Sequence, residues 1–294
     1  MNKTPAKTYI VKQPAELLPF LIEQMHHLSR NAVKSILARG EVAVDGTRTT
    51  AFNAALQAGQ TVSILPKGQL AAKAALVGLT ILHEDDDLIV VLKEAGLLSI
   101  AAPNETEMTA YRQLSAHVRR ANPNHRIFIV HRLDRDTSGV MMFAKNEKVQ
   151  QLLQNSWHDS VRERIYIALV EGKVRQPEGT IRSWLKESKA FKMHSCKNPT
   201  DGQLAITHYK LLQDSQNYSL LEVSLETGRK NQIRVHMQDI GHPVVGDKKY
   251  GSKSNAIGRL GLHAKILTFI HPTSGEVMRF ESTLPKVFMR PFKS

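Results

Sequence analysis

IVHRLDRDTSGVMMFAKN, Ile129–Asn146, sets strand-like runs on either side of a loop crowded with charged and hydroxyl side chains. The runs themselves are Phe128–Val130 and Val140–Ala144. Loops held between strands are favoured places for catalysis. Asp134 sits in this one beside Arg132, Arg135, Asp136, Thr137, Ser138 and Gly139. Nearby guanidinium groups favour the charged form of a carboxylate, which keeps Asp134 available as a nucleophile or base near neutrality. Taken alone, the same residues fit a surface turn held by ion pairs equally well.

Outward from this loop, Leu88–Leu92, Ile165–Val170 and Tyr218–Leu225 also read as strands, and residues 107–120, 147–158 and 230–240 as helices. Many strand runs follow one another without a helix between them. That pattern predicts an α+β domain over 79–294 built on a large, mainly antiparallel sheet.

The first 66 residues have another style. Leu17, Leu18, Leu21, Ile22 and Met25 fall at helical spacing, and Ser29 is placed to cap a second helix whose apolar face is Val33, Ile36 and Leu37. Gly40 ends it. Val42 and Val44 then alternate up to the turn pair Asp45-Gly46, and Val62 and Ile64 alternate again after Gly59. On the second helix Arg30 and Lys34 lie one turn apart opposite the apolar stripe, with Arg39 and Arg48 close by in sequence, as a phosphate-binding edge requires. A solvated charged face is the alternative reading. PKGQLAAKAALVG, Pro66–Gly78, is rich in Ala and Lys and predicts a linker over 67–78.

Composition narrows the partner. Forty Lys and Arg against 27 Asp and Glu leave a net charge of +13 over 294 residues, which favours a polyanion over a neutral metabolite. Residues 1–14 carry no apolar core of signal-peptide length, and no run approaches the roughly 18 apolar residues of a membrane span. A soluble, cytoplasmic monomer without membrane contact is expected. The single cysteine, Cys196, rules out an internal disulfide and reads as an ordinary small side chain. Thirteen histidines show no metal-ligand spacing, so no metal is expected. His131-Arg132-Leu133-Asp134 echoes a kinase loop, but neither the phosphate-binding glycines nor the following asparagine accompany it.

His131-Arg132-Leu133-Asp134 with Thr137-Ser138-Gly139 resembles the signature loop HRLDxxTSG of the RluA class of pseudouridine synthases at every defined position. RIYIALVEG (Arg164–Gly172) is similar to the second motif of that class. TGRKNQIRVHMQDIGHPVVGDKKYG (Thr227–Gly251) is similar to the third, and EDDDLIVVLKEAGLLS (Glu84–Ser99) to the strand and loop that open the catalytic domain. LSRNAVKSILARGEVAVDG (Leu28–Gly46) resembles the small RNA-binding module first named from ribosomal protein S-four, which occurs in the same class. Two departures stand out. Glu94 replaces a usual proline, and Lys230-Asn231 replaces a small hydroxyl residue followed by histidine; neither is expected to touch the chemistry.

The resemblance implies an isomerase that breaks the bond from ribose to uracil nitrogen, turns the base and rejoins it through carbon. No redox change or energy input is involved, so no cofactor is expected. Asp134 supplies the carboxylate, which either adds to the sugar carbon or assists loss of its neighbouring proton. Arg234, on the helix that begins near Lys230, is expected to pair with Asp134. Tyr166 is expected to stack on the target base and help move the proton of the ring carbon. Arg132 either fills the gap left by the flipped uridine or contacts a phosphate. The implied partner is RNA, ribosomal RNA of the large subunit first, with transfer RNA as the alternative.

Overall fold

The computed structural model describes residues 7–38, 40–65, 76–101, 107–196 and 198–292. The chain divides into two compact units, residues 1–75 and 76–294.

In the first unit, β1 (Lys7–Ile10) and β2 (Ala15–Glu16) precede α1 (Leu17–Gln24) and α2 (Arg30–Ala38), followed by β3 (Val42–Val44), β4 (Thr47–Arg48), β5 (Ala55–Leu56) and β6 (Thr61–Ile64). Four strands pair antiparallel in the order β1-β6-β3-β4, and β2 pairs with β5. The helical stripe anticipated from spacing is the one that packs: Leu17, Leu21, Val33 and Leu37 are buried with Val42 and Val62. Each such side chain contributes about 1.5–3 kcal/mol when fully removed from water. Ser29 caps α2, its Oγ accepting from the Ala32 N–H at 3.3 Å. Asp45 and Gly46 both have positive φ (47° and 78°), the two-residue turn that matches the twist of β3 and β4.

The second unit carries β7 (Leu79–Glu84), β8 (Leu88–Lys93), α3 (Ala110–Ala121), β9 (Phe128–Ile129), β10 (Ser138–Ala144), α4 (Glu147–Asn155), α5 (Trp157–Ser160), β11 (Val161–Glu171), β12 (Glu178–Glu187), β13 (Met193–Cys196), β14 (Gln203–Asp214), β15 (Tyr218–Leu225), α6 (Gln232–Asp239), β16 (Leu262–Ile270) and β17 (Val277–Glu281). They build one sheet ordered β13-β12-β14-β15-β11-β16-β10-β8-β7, with β17 on β16 and β9 on β10. Every described pairing is antiparallel except that of β10 with β16. The fold is therefore α+β with a large, mostly antiparallel sheet.

All seven residues of β10 are buried because both faces of the sheet are covered there. Met141 and Phe143 pack with Leu114 and Val118 of α3, while Val140, Met142 and Ala144 pack with Val149 and Leu153 of α4. Two of the anticipated helices start later than spacing suggested, the second of them also ending one residue early, and the third is broken in two. Thr109 caps α3 through its Oγ1, so the helix begins at Ala110, and Asn231 turns left-handed (φ +53°) before α6 begins at Gln232. The helix expected over 147–158 is interrupted at Ser156, with Glu147–Asn155 forming α4 and Trp157–Ser160 forming α5. The start of the second unit also corrects the expected linker: Val77 donates to Gln113 Oε1 at 2.7 Å and accepts from its Nε2 at 2.8 Å, so residues 76–78 belong to this unit. The remainder of the expected linker lies outside the described residues.

Candidate active site

The loop between β9 and β10 is fixed from the chain that follows β8. Ser99 Oγ donates to the Leu133 carbonyl at 2.7 Å and accepts from the Leu133 N–H at 3.2 Å, so both polar groups of that residue are satisfied by one side chain. Lys93 is fully buried, and its ammonium donates to the carbonyls of Glu94, Leu97 and Arg135 at 3.0, 2.7 and 2.9 Å. Burial pushes its pKa down to about 8, against the opposing pull of Asp136 and Asp134. On the far side His131 Nε2 accepts from the Met142 N–H at 3.1 Å. Burial, aided by Arg164, lowers the His131 pKa to about 4, which keeps the ring neutral and able to accept.

Gly139 closes the loop where β10 meets β16. A Cβ there would lie 2.1 Å from the Ala264 carbonyl oxygen, and its φ of +126° is one that other residues rarely adopt. The neighbouring Ser138 Oγ bonds His263 Nδ1 at 2.7 Å and accepts from Arg259 at 2.8 Å.

Asp134, so held, meets two donors from the start of α6. Arg234 Nη1 donates to Oδ2 at 3.0 Å and Asn231 Nδ2 donates to the same oxygen at 2.6 Å. The other edge of the guanidinium is committed to Asp247, Nε to Oδ2 at 2.6 Å and Nη2 to Oδ1 at 2.8 Å. Asp247 is buried (2% exposed), so this two-bond pair fixes the plane of Arg234 and leaves Nη1 aimed at Asp134. Burial alone would lower the Arg234 pKa, but the bonds and charge of Asp247, together with Asp134, raise it instead. The Tyr250 ring lies 4.9 Å below the guanidinium.

Tyr166 approaches from β11. The pairing of β11 with β16 slips by one residue between Ile165 and Tyr166, the extra residue being Lys265 on β16, so Tyr166 pairs with Ala264 opposite a bulge. Burial raises the Tyr166 pKa, Asp134 adds to the effect and Arg164 opposes it, so the phenol keeps its proton near neutrality. A pocket of about 80 Å³ is lined by Arg132, Asp134, Tyr166, Asn231, Arg234 and Leu262, among others.

The structure thus brings Asp134, Tyr166, Arg234 and Arg132 to one pocket. Arg132 is exposed. Arg135, expected to help hold Asp134 charged, turns to Glu107 at 2.8 Å instead. The expectation that the Lys230-Asn231 departure stays clear of the chemistry is overturned for Asn231, which touches the carboxylate directly. Arg30 and Lys34 are exposed on α2 in the other unit, while Arg39 and the side chain of Arg48 lie outside the described residues. Lys93, Ser99, Asp247 and Tyr250 had no assigned role from sequence, because their contacts span distances along the chain that no local pattern encodes.

Residues 87–239, just over half the chain, match the family described as RNA pseudouridylate synthase. The chain belongs to that family. It is an isomerase converting uridine to pseudouridine in RNA. The RNA pseudouridine synthase YlyB of Bacillus subtilis is 37% identical over 273 residues, 91% of this chain and 89% of that one. Ribosomal large subunit pseudouridine synthase D of Neisseria meningitidis is 37% identical over 221 residues, 71% of this chain and 59% of that one. Human RNA pseudouridylate synthase domain containing 4 shares the fold, with a TM-score of 0.61, 24% identity, and coverage of 76% of this chain and 95% of that one. Asp247 and Tyr250 lie beyond the matched segment.

Proposed function

We propose that this synthase isomerises uridines in ribosomal RNA of the large subunit, in the cytoplasm, with Asp134 as the reacting carboxylate. The observation that carries the mechanism is the Asp247–Arg234–Asp134 series, in which a buried acid orients the arginine and the arginine orients the carboxylate. Asp134 either adds to the ribose carbon as the bond to uracil nitrogen breaks or removes the neighbouring sugar proton. In both routes the base turns, rejoins through carbon 5, and gives up the proton of that carbon. Tyr166, neutral beside the carboxylate, stacks on the base and relays that proton. Arg132 at the rim fills the place left by the flipped uridine or holds a phosphate.

The ribosomal target rests on the similarity to the Neisseria enzyme of that name. Mapping pseudouridines by carbodiimide-dependent reverse-transcription stops, in cells with and without the gene, tests it. One or a few stops should vanish from large-subunit RNA; loss confined to transfer RNA would refute the ribosomal assignment.

The helix pair and hairpin of the first unit support its reading as an S-four-like RNA-binding module, with Arg30, Lys34, Arg39 and Arg48 on phosphates. Each phosphate contact adds about 0.7–0.9 to the slope of log affinity against log salt. Arg30→Ala with Lys34→Ala should therefore lower that slope by about one to two units in a titration with structured RNA. An unchanged slope would take this helix face out of the contact.

A further inference from the structure

The oxygen of Asp134 that Arg234 touches has a second, shorter bond that the arginine series does not explain. Asn231 is left-handed at φ +53°, a conformation asparagine adopts more readily than most residues, and it places its amide against Asp134 at 2.6 Å. Its orientation is set by a chain of donors with one consistent direction. The Met193 N–H donates to Tyr250 Oη at 3.2 Å, Tyr250 Oη donates to Asn231 Oδ1 at 3.1 Å, and Asn231 Nδ2 donates to Asp134 Oδ2. A flipped amide would set oxygen against carboxylate and NH₂ against the only remaining proton of the phenol, so the network fixes the assignment. Burial raises the Tyr250 pKa, which keeps that proton in place. Both donors to Asp134 fall on Oδ2; among the described residues none reaches Oδ1.

We infer that Asn231 is a positioning residue for Asp134: held by Tyr250, it shares Oδ2 with Arg234 and leaves Oδ1 as the reacting oxygen. This rests on the reading of Asp134 as the reacting carboxylate. The amide contributes a donor that does not titrate. Arg234, held by Asp247, supplies one donor to Oδ2, and the Asn231 amide, arriving from a different residue, adds a second that further restricts the carboxylate.

Two variants of the full-length enzyme test this. Asn231→Gly suits the left-handed backbone and removes only the side chain. It should lower kcat by about 10- to 100-fold, the worth of a hydrogen bond to a charged group, while KM for RNA and the melting temperature stay close to wild type. Asn231→Asp sets two carboxylates against each other, so the pair shares one proton and titrates as a unit. Arg234, with Lys93 adding its charge, keeps Asp134 the ionised partner; Asp247 on the far edge of Arg234, Tyr166, Tyr250, Arg229 and the exposed Arg132 are the other titratable groups described around the pocket. Residue 231 then carries the shared proton and still donates at low pH. As pH rises through the raised second ionisation that donor is lost, so kcat should fall between about pH 5 and 8, a limb absent from wild type. A kcat within twofold of wild type for Asn231→Gly, or an Asn231→Asp profile superimposable on wild type, overturns the inference. Loss of activity in Asp134→Asn beside a normal Asn231→Gly enzyme would sink this inference alone and spare the role of Asp134.

Discussion

Asp134→Asn should reduce tritium release from uridine labelled at carbon 5 at least about a thousandfold, below detection in the usual assay, while RNA affinity is retained. The substitution keeps the size of the side chain and an oxygen that can still accept from Arg234 and Asn231. It removes the charge and the nucleophile, since an amide neither adds to a sugar carbon nor takes up a proton near neutrality. Asp136→Asn is the control. Asp136 is exposed, two residues along the same loop, and its loss should leave turnover within a few-fold of wild type. Full turnover by Asp134→Asn protein, shown by mass spectrometry not to have reverted by deamidation, would defeat the mechanism.

Gly139→Ala is expected to cost more stability than any other single-methyl change in the second unit. Its Cβ would meet three backbone atoms of Ala264, the oxygen at 2.1 Å and the carbon and nitrogen at 2.6 Å. Ordinary overpacking of a core costs about 1–3 kcal/mol because side chains shift rotamer. Here the obstacle is backbone at the centre of the sheet, and the left-hand side of φ adds its own strain. A loss above about 4 kcal/mol follows, seen as a collapse of the melting transition or as insoluble protein. Trimming Ala264 to glycine should not rescue the variant, since the clash is with main chain. A Gly139→Ala protein within about 1 kcal/mol of wild type would show that β10 and β16 do not approach so closely.

How much of this was legible in the sequence depended on whether a residue's neighbours in space are also its neighbours in the chain. β10 was readable as the run Val140–Ala144, and the stripe of α1 and α2 in the first unit was readable from spacing alone. Strands β12, β13 and β14 were not anticipated. They are partly exposed and carry polar residues at inward positions: Thr207 on β14 is fully buried, yet it serves His236 Nδ1 and Gln232 rather than an apolar face. At the site, the loop motif pointed to Asp134 and the order of motifs to Arg234. Asp247 lies 13 residues beyond Arg234, outside the helix, and Asn231 lies 97 residues from Asp134. Nothing in local periodicity marks either contact. The substitution of asparagine for the usual histidine was visible, but its meaning was not, because the left-handed turn that aims it appears only once α6 is docked.

The parallel pairing of β10 with β16 has a consequence for how the enzyme comes to life during synthesis. Ser138 and its partner His263 are 125 residues apart, and the bond from Arg234 to Asp134 spans 100. At about 5–20 residues per second, roughly 6–25 seconds pass between translation of the two sides of the Ser138–His263 contact. Throughout that interval the loop bearing Asp134 has no β16 to rest on. Strand β8 and Ser99 precede the loop and can steady one flank early, yet the other flank waits for β16. The site around Asp134 therefore cannot be completed before Leu262–Ile270 has been made.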